Sequence, residues 1–65
     1  MNKQEIGQSI HERRKTLRIS QGRLAELAGV AVHTVSNLET GTGNVTVETL
    51  LKVAQVLGYQ VRMGP

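Results

Sequence analysis

Residues Ser20 to Gly41 read SQGRLAELAGVAVHTVSNLETG. Two short helices with a tight break between them account for this stretch. Ser20 is a good N-cap residue, and the spacing predicts a helix from there to Ala28, with Leu24, Leu27 and Ala28 on its apolar face. Gly29 supplies the break. A third helix in chain order is predicted over Val32–Glu39, with Gly41 as its stop. At 100° per residue, Ala31, Thr34, Val35 and Leu38 fill one arc of about 100°. Val32, His33, Ser36, Asn37 and Thr40 fill the opposite arc. That side carries no Lys or Glu, which is unusual for a face that only meets water.

Working outward, the first helix is predicted from Lys3 to Leu17. Ile6, Ile10 and Leu17 fall within about 40° of one another, a narrow stripe that places this helix on the surface of the core. Beyond Gly41 a Gly-rich loop leads to Thr46, an N-cap for a fourth helix over Val47–Leu57, which Gly58 ends. Its core face is Val47, Leu50, Leu51, Ala54 and Leu57. Val53 and Val56 widen the apolar arc to roughly 220°, more than one core covers. The segment Tyr59–Met63 then alternates apolar and polar, which is strand periodicity. A lone strand cannot satisfy its own backbone, so a second subunit is expected to pair with it. Val53, Val56, Tyr59, Val61 and Met63 are the expected dimer interface. The fold expected is all-α: one four-helix domain over residues 1–65, with a single C-terminal β-strand pairing across a homodimer.

The chain has 65 residues, so one small domain is the most it builds. It has no Cys and two His, which excludes disulfides and a protein-built zinc site; no cofactor is expected. No run of about 20 apolar residues and no leader pattern is present, so the chain is expected in the cytoplasm and not in a membrane. The net charge is +3, unevenly spread. Arg13, Arg14, Lys15, Arg18 and Arg23 lie together, with no acid between Glu12 and Glu26. Such one-sided charge points to a polyanion. Tyr59 is the one aromatic residue, which argues against stacking on single strands. No spaced carboxylate pair with a cleft is evident, and Gly41-Thr42-Gly43 lacks the Lys of a phosphate-binding loop, so an enzyme is not expected.

The pattern Ser20-Gln21, Leu24-Ala25, Ala28-Gly29-Val30, Thr34-Val35-Ser36 and Leu38-Glu39, closed by Gly41, resembles the helix-turn-helix of phage-repressor-like (Cro/CI, XRE) regulators. The likeness runs without a gap over residues 20–41. It implies sequence-specific binding to duplex DNA at a palindromic operator, by a dimer that represses transcription. It places Val32, His33, Ser36 and Asn37 against bases. Asn37 suits adenine, Val32 a thymine methyl, and His33 a guanine or a phosphate. It places Ser20, Gln21, Arg23 and Thr40 against phosphates. The family commonly pairs an arginine of the first helix with the glutamate matching Glu39. Helical arithmetic alone leaves Arg13 and Arg14 open; the resemblance favours Arg14. Ala31 departs from the Ser or Thr common at the N-cap of the third helix, weakening the cap by about 1 kcal/mol.

The ending Tyr59–Met63 and the loop Gly41–Thr46 resemble the HipB-type antitoxin branch. That likeness implies a HipA-type serine/threonine kinase toxin as partner and repression of the shared operon. A phage or mobile-element repressor without a toxin, or a module mainly for protein interaction, are the alternative readings. No role is assigned to Arg13, Lys15 or Arg18.

Overall fold

Each helix begins and ends where local hydrogen bonding dictates. The computed structural model describes residues 2–59. Helix α1 spans Lys3–Thr16, α2 Gln21–Ala28, α3 Val32–Thr40 and α4 Val47–Val56. Three of the four starts carry a side-chain cap that satisfies an otherwise orphan N–H. Asn2 Oδ1 accepts from the Glu5 amide at 2.9 Å, Ser20 Oγ from Arg23 at 3.0 Å and Thr46 Oγ1 from Thr49 at 3.1 Å. Helix α3, preceded by Ala31, has no such bond. Its first turn is closed by the backbone bond from Thr34 N to the Ala31 carbonyl at 3.0 Å.

The core consists of Ile10 from α1, Leu24 and Ala25 from α2, Val35 and Leu38 from α3, and Val53, Ala54 and Leu57 from the last helix and its cap. Helix α1 packs chiefly on α3, while α2 packs on both α3 and α4. Ile6, Ile19, Ala28, Val30, Val45, Leu50 and Val56 close the edges. The small residue Ala25 lets α2 sit close beneath its neighbours, and Gly29, with φ +71°, turns the chain sharply from α2 towards α3. No helix of the described residues is long and apolar enough to cross a membrane.

Helix α4 is turned differently from its expected orientation. Leu50, Val53, Ala54 and Leu57 share an arc of about 100°. Val53 is 0% exposed, enclosed by the protein's own core, and has no surface to give to a second subunit. Val56 is half-buried. The apolar side chains left in solvent are instead Val47 (70% exposed) and Leu51 (37%), both expected in the core. Helix α4 packs on α2, and the side it buries carries Val53, Ala54 and Leu57, which leaves Val47 and Leu51 outside. Leu27 is likewise exposed, because Leu24, Ala25 and Ala28 form the buried side of α2. Leu17 lies past the end of α1 and is exposed too. Among the described residues there is no strand. The expected strand Tyr59–Met63 lies outside them from Gln60 onward, and with it Val61 and Met63.

Gly7 sets the closest helix approach. It is buried where α1 crosses the end of α3. A Cβ there would stand 2.7 Å from the Glu39 carbonyl oxygen and closer still to that of Leu38. Both are backbone atoms, which cannot swing aside. Gly to Ala inside a helix ordinarily stabilises by up to about 1 kcal/mol. Here Gly7→Ala is expected to destabilise by about 1–3 kcal/mol, because α1 must lift off α3. Urea unfolding checks this, and an unchanged or raised midpoint contradicts the close crossing.

Candidate nucleic-acid interface

The outward face of α3 depends on how its inward face is anchored, and the anchor is Glu39. Its side chain is 4% exposed. Arg14 reaches across from α1 and grips it with two bonds, Nε to Oε2 at 2.6 Å and Nη2 to Oε1 at 3.0 Å. The same guanidinium donates through Nη1 to the Ile19 carbonyl at 2.9 Å, which ties in the α1–α2 turn. His11 Nδ1 lies 2.8 Å from Glu39 Oε1, and Gln21 Nε2 donates to that oxygen at 3.2 Å. One carboxylate thus gathers residues from α1, α2 and α3. Burial pushes the Glu39 carboxyl up, but hydrogen bonds from Arg14, His11 and Gln21 outweigh it and hold the group at about 2. The bond to Glu39 raises the Arg14 guanidinium against the opposing effect of burial. The two charges cancel, so Arg14 adds little to the outward field.

With α3 fixed in this way, a polar arc of about 140° faces away from the core. Ser36, Thr40 and His33 occupy its middle, and Val32 and Asn37 its two flanks. Val32 is 52% exposed, and His33 and Thr40 are also exposed. Ser36 and Asn37 are half-buried. The Thr40 hydroxyl donates to the Ser36 carbonyl at 3.0 Å and lies 2.8 Å from that of Thr42. Asn37 leans to the loop side. The Thr42 hydroxyl is 3.5 Å from its Oδ1, and a Cβ on Gly43 would sit 3.3 Å from its Nδ2. It lines a small hollow with Lys3, Ile6 and Leu50. Of the four residues expected to read bases, Asn37 is thus the most engaged within the fold.

The Val32 flank opens onto a broad hollow bounded by Arg14, Lys15, Arg18, Ser20, Gln21 and Val32. Ser20 is exposed there, its oxygen capping α2 and its hydroxyl hydrogen still available to an acceptor. Gln21, also expected at a phosphate, lines the same hollow; its Nε2 gives one hydrogen to Glu39 and keeps a second. Arg23 is exposed and pairs with Glu26 one turn along α2, a contact of the solvated kind worth little. Arg13 points elsewhere: its Nε donates to the Leu57 carbonyl at 2.9 Å and holds the end of α4. The Tyr59 hydroxyl, expected at a dimer interface, donates to the Ser9 carbonyl at 3.3 Å. Among the described residues no group of His, Asp and Glu is placed to hold a metal.

Two contributors, His11 and Gly7, were not singled out from the sequence. His11 precedes Arg14 by one helical turn, so its place on the same face was readable from the i,i+3 spacing. Gly7 lies two turns before Arg14, and a glycine in line with a buried position signals a close crossing. The inward turn of Gln21 had no local signal.

Breaking the central pair leaves a buried charge. Glu39→Gln or Arg14→Met alone is expected to cost about 3–5 kcal/mol, whereas Arg14→Met with Glu39→Leu recovers a large part. The carboxyl titrates below its unfolded value. Its contribution is therefore complete above about pH 4.3 and is lost as pH falls towards 2. Urea midpoints of the three variants at pH 7 and pH 3 check both statements. Strictly additive losses, or a Glu39→Gln variant as acid-sensitive as the parent, contradict them.

A family model described as helix-turn-helix matches residues 10–62. No curated protein matches the chain.

Proposed function

The chain belongs to the XRE-type helix-turn-helix family of DNA-binding regulators, and from that premise we propose that it is a sequence-specific repressor working as a symmetric pair on duplex DNA. The observation that carries this reading is the outward arc of α3, free of long charged side chains and flanked by a basic hollow. A major groove about 12 Å wide admits one helix, and small polar side chains let it approach the base edges. Val32, His33, Ser36 and Asn37 meet bases, with Val32 against a thymine methyl. Ser20, Arg23 and Thr40 meet phosphates. Gln21 meets a phosphate with the amide hydrogen that its bond to Glu39 leaves over. Arg14 and Glu39 keep α3 in place and are not DNA contacts.

Two copies of α3 set about 34 Å apart read successive major grooves of a palindromic operator. Pairing is proposed at the C-terminal end through Val56, Tyr59, Val61 and Met63, with residues 59–63 of two subunits forming a small sheet. Occupancy of the promoter represses transcription, and no chemistry is done; the family is one of regulators rather than enzymes. The narrower proposal is an antitoxin that holds a HipA-type serine/threonine kinase and represses the operon encoding both. It rests on the alternation of Tyr59–Met63 and on the loop before α4. Copurification decides this part: a kinase retained by the tagged chain supports it, and a repressor that acts alone removes it.

Selection from random-sequence duplexes tests the main reading. The chain is expected to recover a two-fold symmetric site. Asn37→Ala is then expected to cost about 1–3 kcal/mol on that site and to relax one base pair per half-site. An equal loss on every sequence means that Asn37 only braces the loop. Recovery of no preferred sequence contradicts the proposal.

A further inference from the structure

All four helices end in the same way. In each, the residue after the C-cap region turns left-handed, and two bonds close the end, one from that residue and one from the next, as in a Schellman motif. Gly29, Gly41 and Gly58 supply the turn after α2, α3 and α4, at φ of +71°, +72° and +82°. Their partners are Val30 N to Ala25 O at 3.0 Å, Thr42 N to Asn37 O at 3.0 Å and Tyr59 N to Ala54 O at 2.9 Å. After α1 the same bonds form, Arg18 N to Lys15 O at 3.0 Å and Ile19 N to Arg14 O at 3.3 Å. The residue at the turn is Arg18, with φ +60°, the one non-glycine of positive φ among the described residues. A side chain there strains the backbone, and glycine would relieve it. The fold therefore gives a reason for glycine at this place and none for arginine.

What Arg18 gains is position. It lines the hollow beside Val32 and Ser20, together with Lys15. Both side chains are exposed, and among the described residues neither has a carboxylate within ion-pair distance. Two of the neighbouring cations are occupied, Arg14 by Glu39 and the Ile19 carbonyl and Arg13 by the Leu57 carbonyl, while Arg23 makes a solvated contact with Glu26. Arg13 and Arg14 thus hold the fold, Arg23 keeps a weak surface pair, and Lys15 and Arg18 have no carboxylate partner among the described residues. Those two stand on the rim next to the Val32 flank of α3, where a groove-bound duplex would bring its sugar–phosphate backbone.

We propose that Lys15 and Arg18 form a phosphate clamp on the duplex beside the groove that α3 enters, and that the strained turn is kept to aim Arg18 at it. This rests on the DNA-binding reading above. The left-handed backbone sets the direction in which the Arg18 side chain leaves the turn, its guanidinium can meet a phosphate with two hydrogen bonds, and Lys15 supplies a second positive charge.

Arg18→Gly separates this role from a structural one, because it removes strain and charge together. The variant is expected to melt at or a few degrees above the parent. Its binding to a generic duplex is expected to fall roughly three- to tenfold near 0.1 M salt, with the slope of log K against log salt shallower by about 0.9. Lys15→Gln is expected to act in the same direction, and Arg18→Lys to restore most of the slope. Lys52→Gln, on α4 beside Glu48, serves as the control and should leave the slope alone. If the parent binds duplex and both Arg18→Gly and Lys15→Gln match its affinity and slope, the clamp is overturned while the DNA-binding reading stands. A parent that binds no duplex at any salt overturns both.

Discussion

A single buried carboxylate, that of Glu39, organises this small fold. Arg14 from α1, His11 from α1 and Gln21 from α2 all converge on it, and Arg14 also holds the turn at Ile19. A domain of this size has a net stability of only about 3–10 kcal/mol. A pair whose disruption costs several kcal/mol is therefore a large fraction of the whole. Its geometric effect matters as much as its energy. Helix α3 lacks a side-chain cap, and the Glu39 grip adds to the packing of Val35 and Leu38 in holding its outward face in place relative to α2.

That arrangement divides labour among neighbouring cations. Arg13 secures the end of α4, Arg14 secures α3, and Lys15 and Arg18 remain at the rim of the hollow. Adjacent positions on a helix point about 100° apart, so a run of like charges need not act as one patch. Counting charge alone overstates the field offered to a polyanion, because the carboxylate of Glu39 cancels the guanidinium buried with it. What is left is a modest basic edge beside a neutral reading surface. Such an edge favours general attraction to a backbone, and discrimination is the part proposed for His33, Ser36 and their neighbours.

Much of this was legible from the residues. Ser20 and Thr46 as caps, Gly29 and Gly41 as stops, and the split of α3 into aliphatic and polar sides all follow from local chemistry. The choice of Arg14 over Arg13 needed the family resemblance, since both lie near the apolar stripe of α1. The orientation of α4 was not legible. Its apolar residues cover more than half of the helix surface, so periodicity could not say which would be enclosed, and α2 decided in favour of Val53 over Val47 and Leu51. Gln21 illustrates a different limit: a polar residue at the start of a helix can face solvent or a distant carboxylate, and only the packed fold settles it. Arg18 marks a further limit: the first helix was expected to end at Leu17, but nothing in the sequence showed that the next residue turns left-handed.

The outer side of α3 is proposed as the surface that meets duplex DNA. Amide chemical-shift mapping of the chain titrated with duplex DNA locates that surface. The largest changes are expected at residues 32–42 and 18–23, with α4 around Val47, Leu51 and Lys52 left nearly unmoved. Changes centred on α4, with His33 and Ser36 silent, would contradict that proposal.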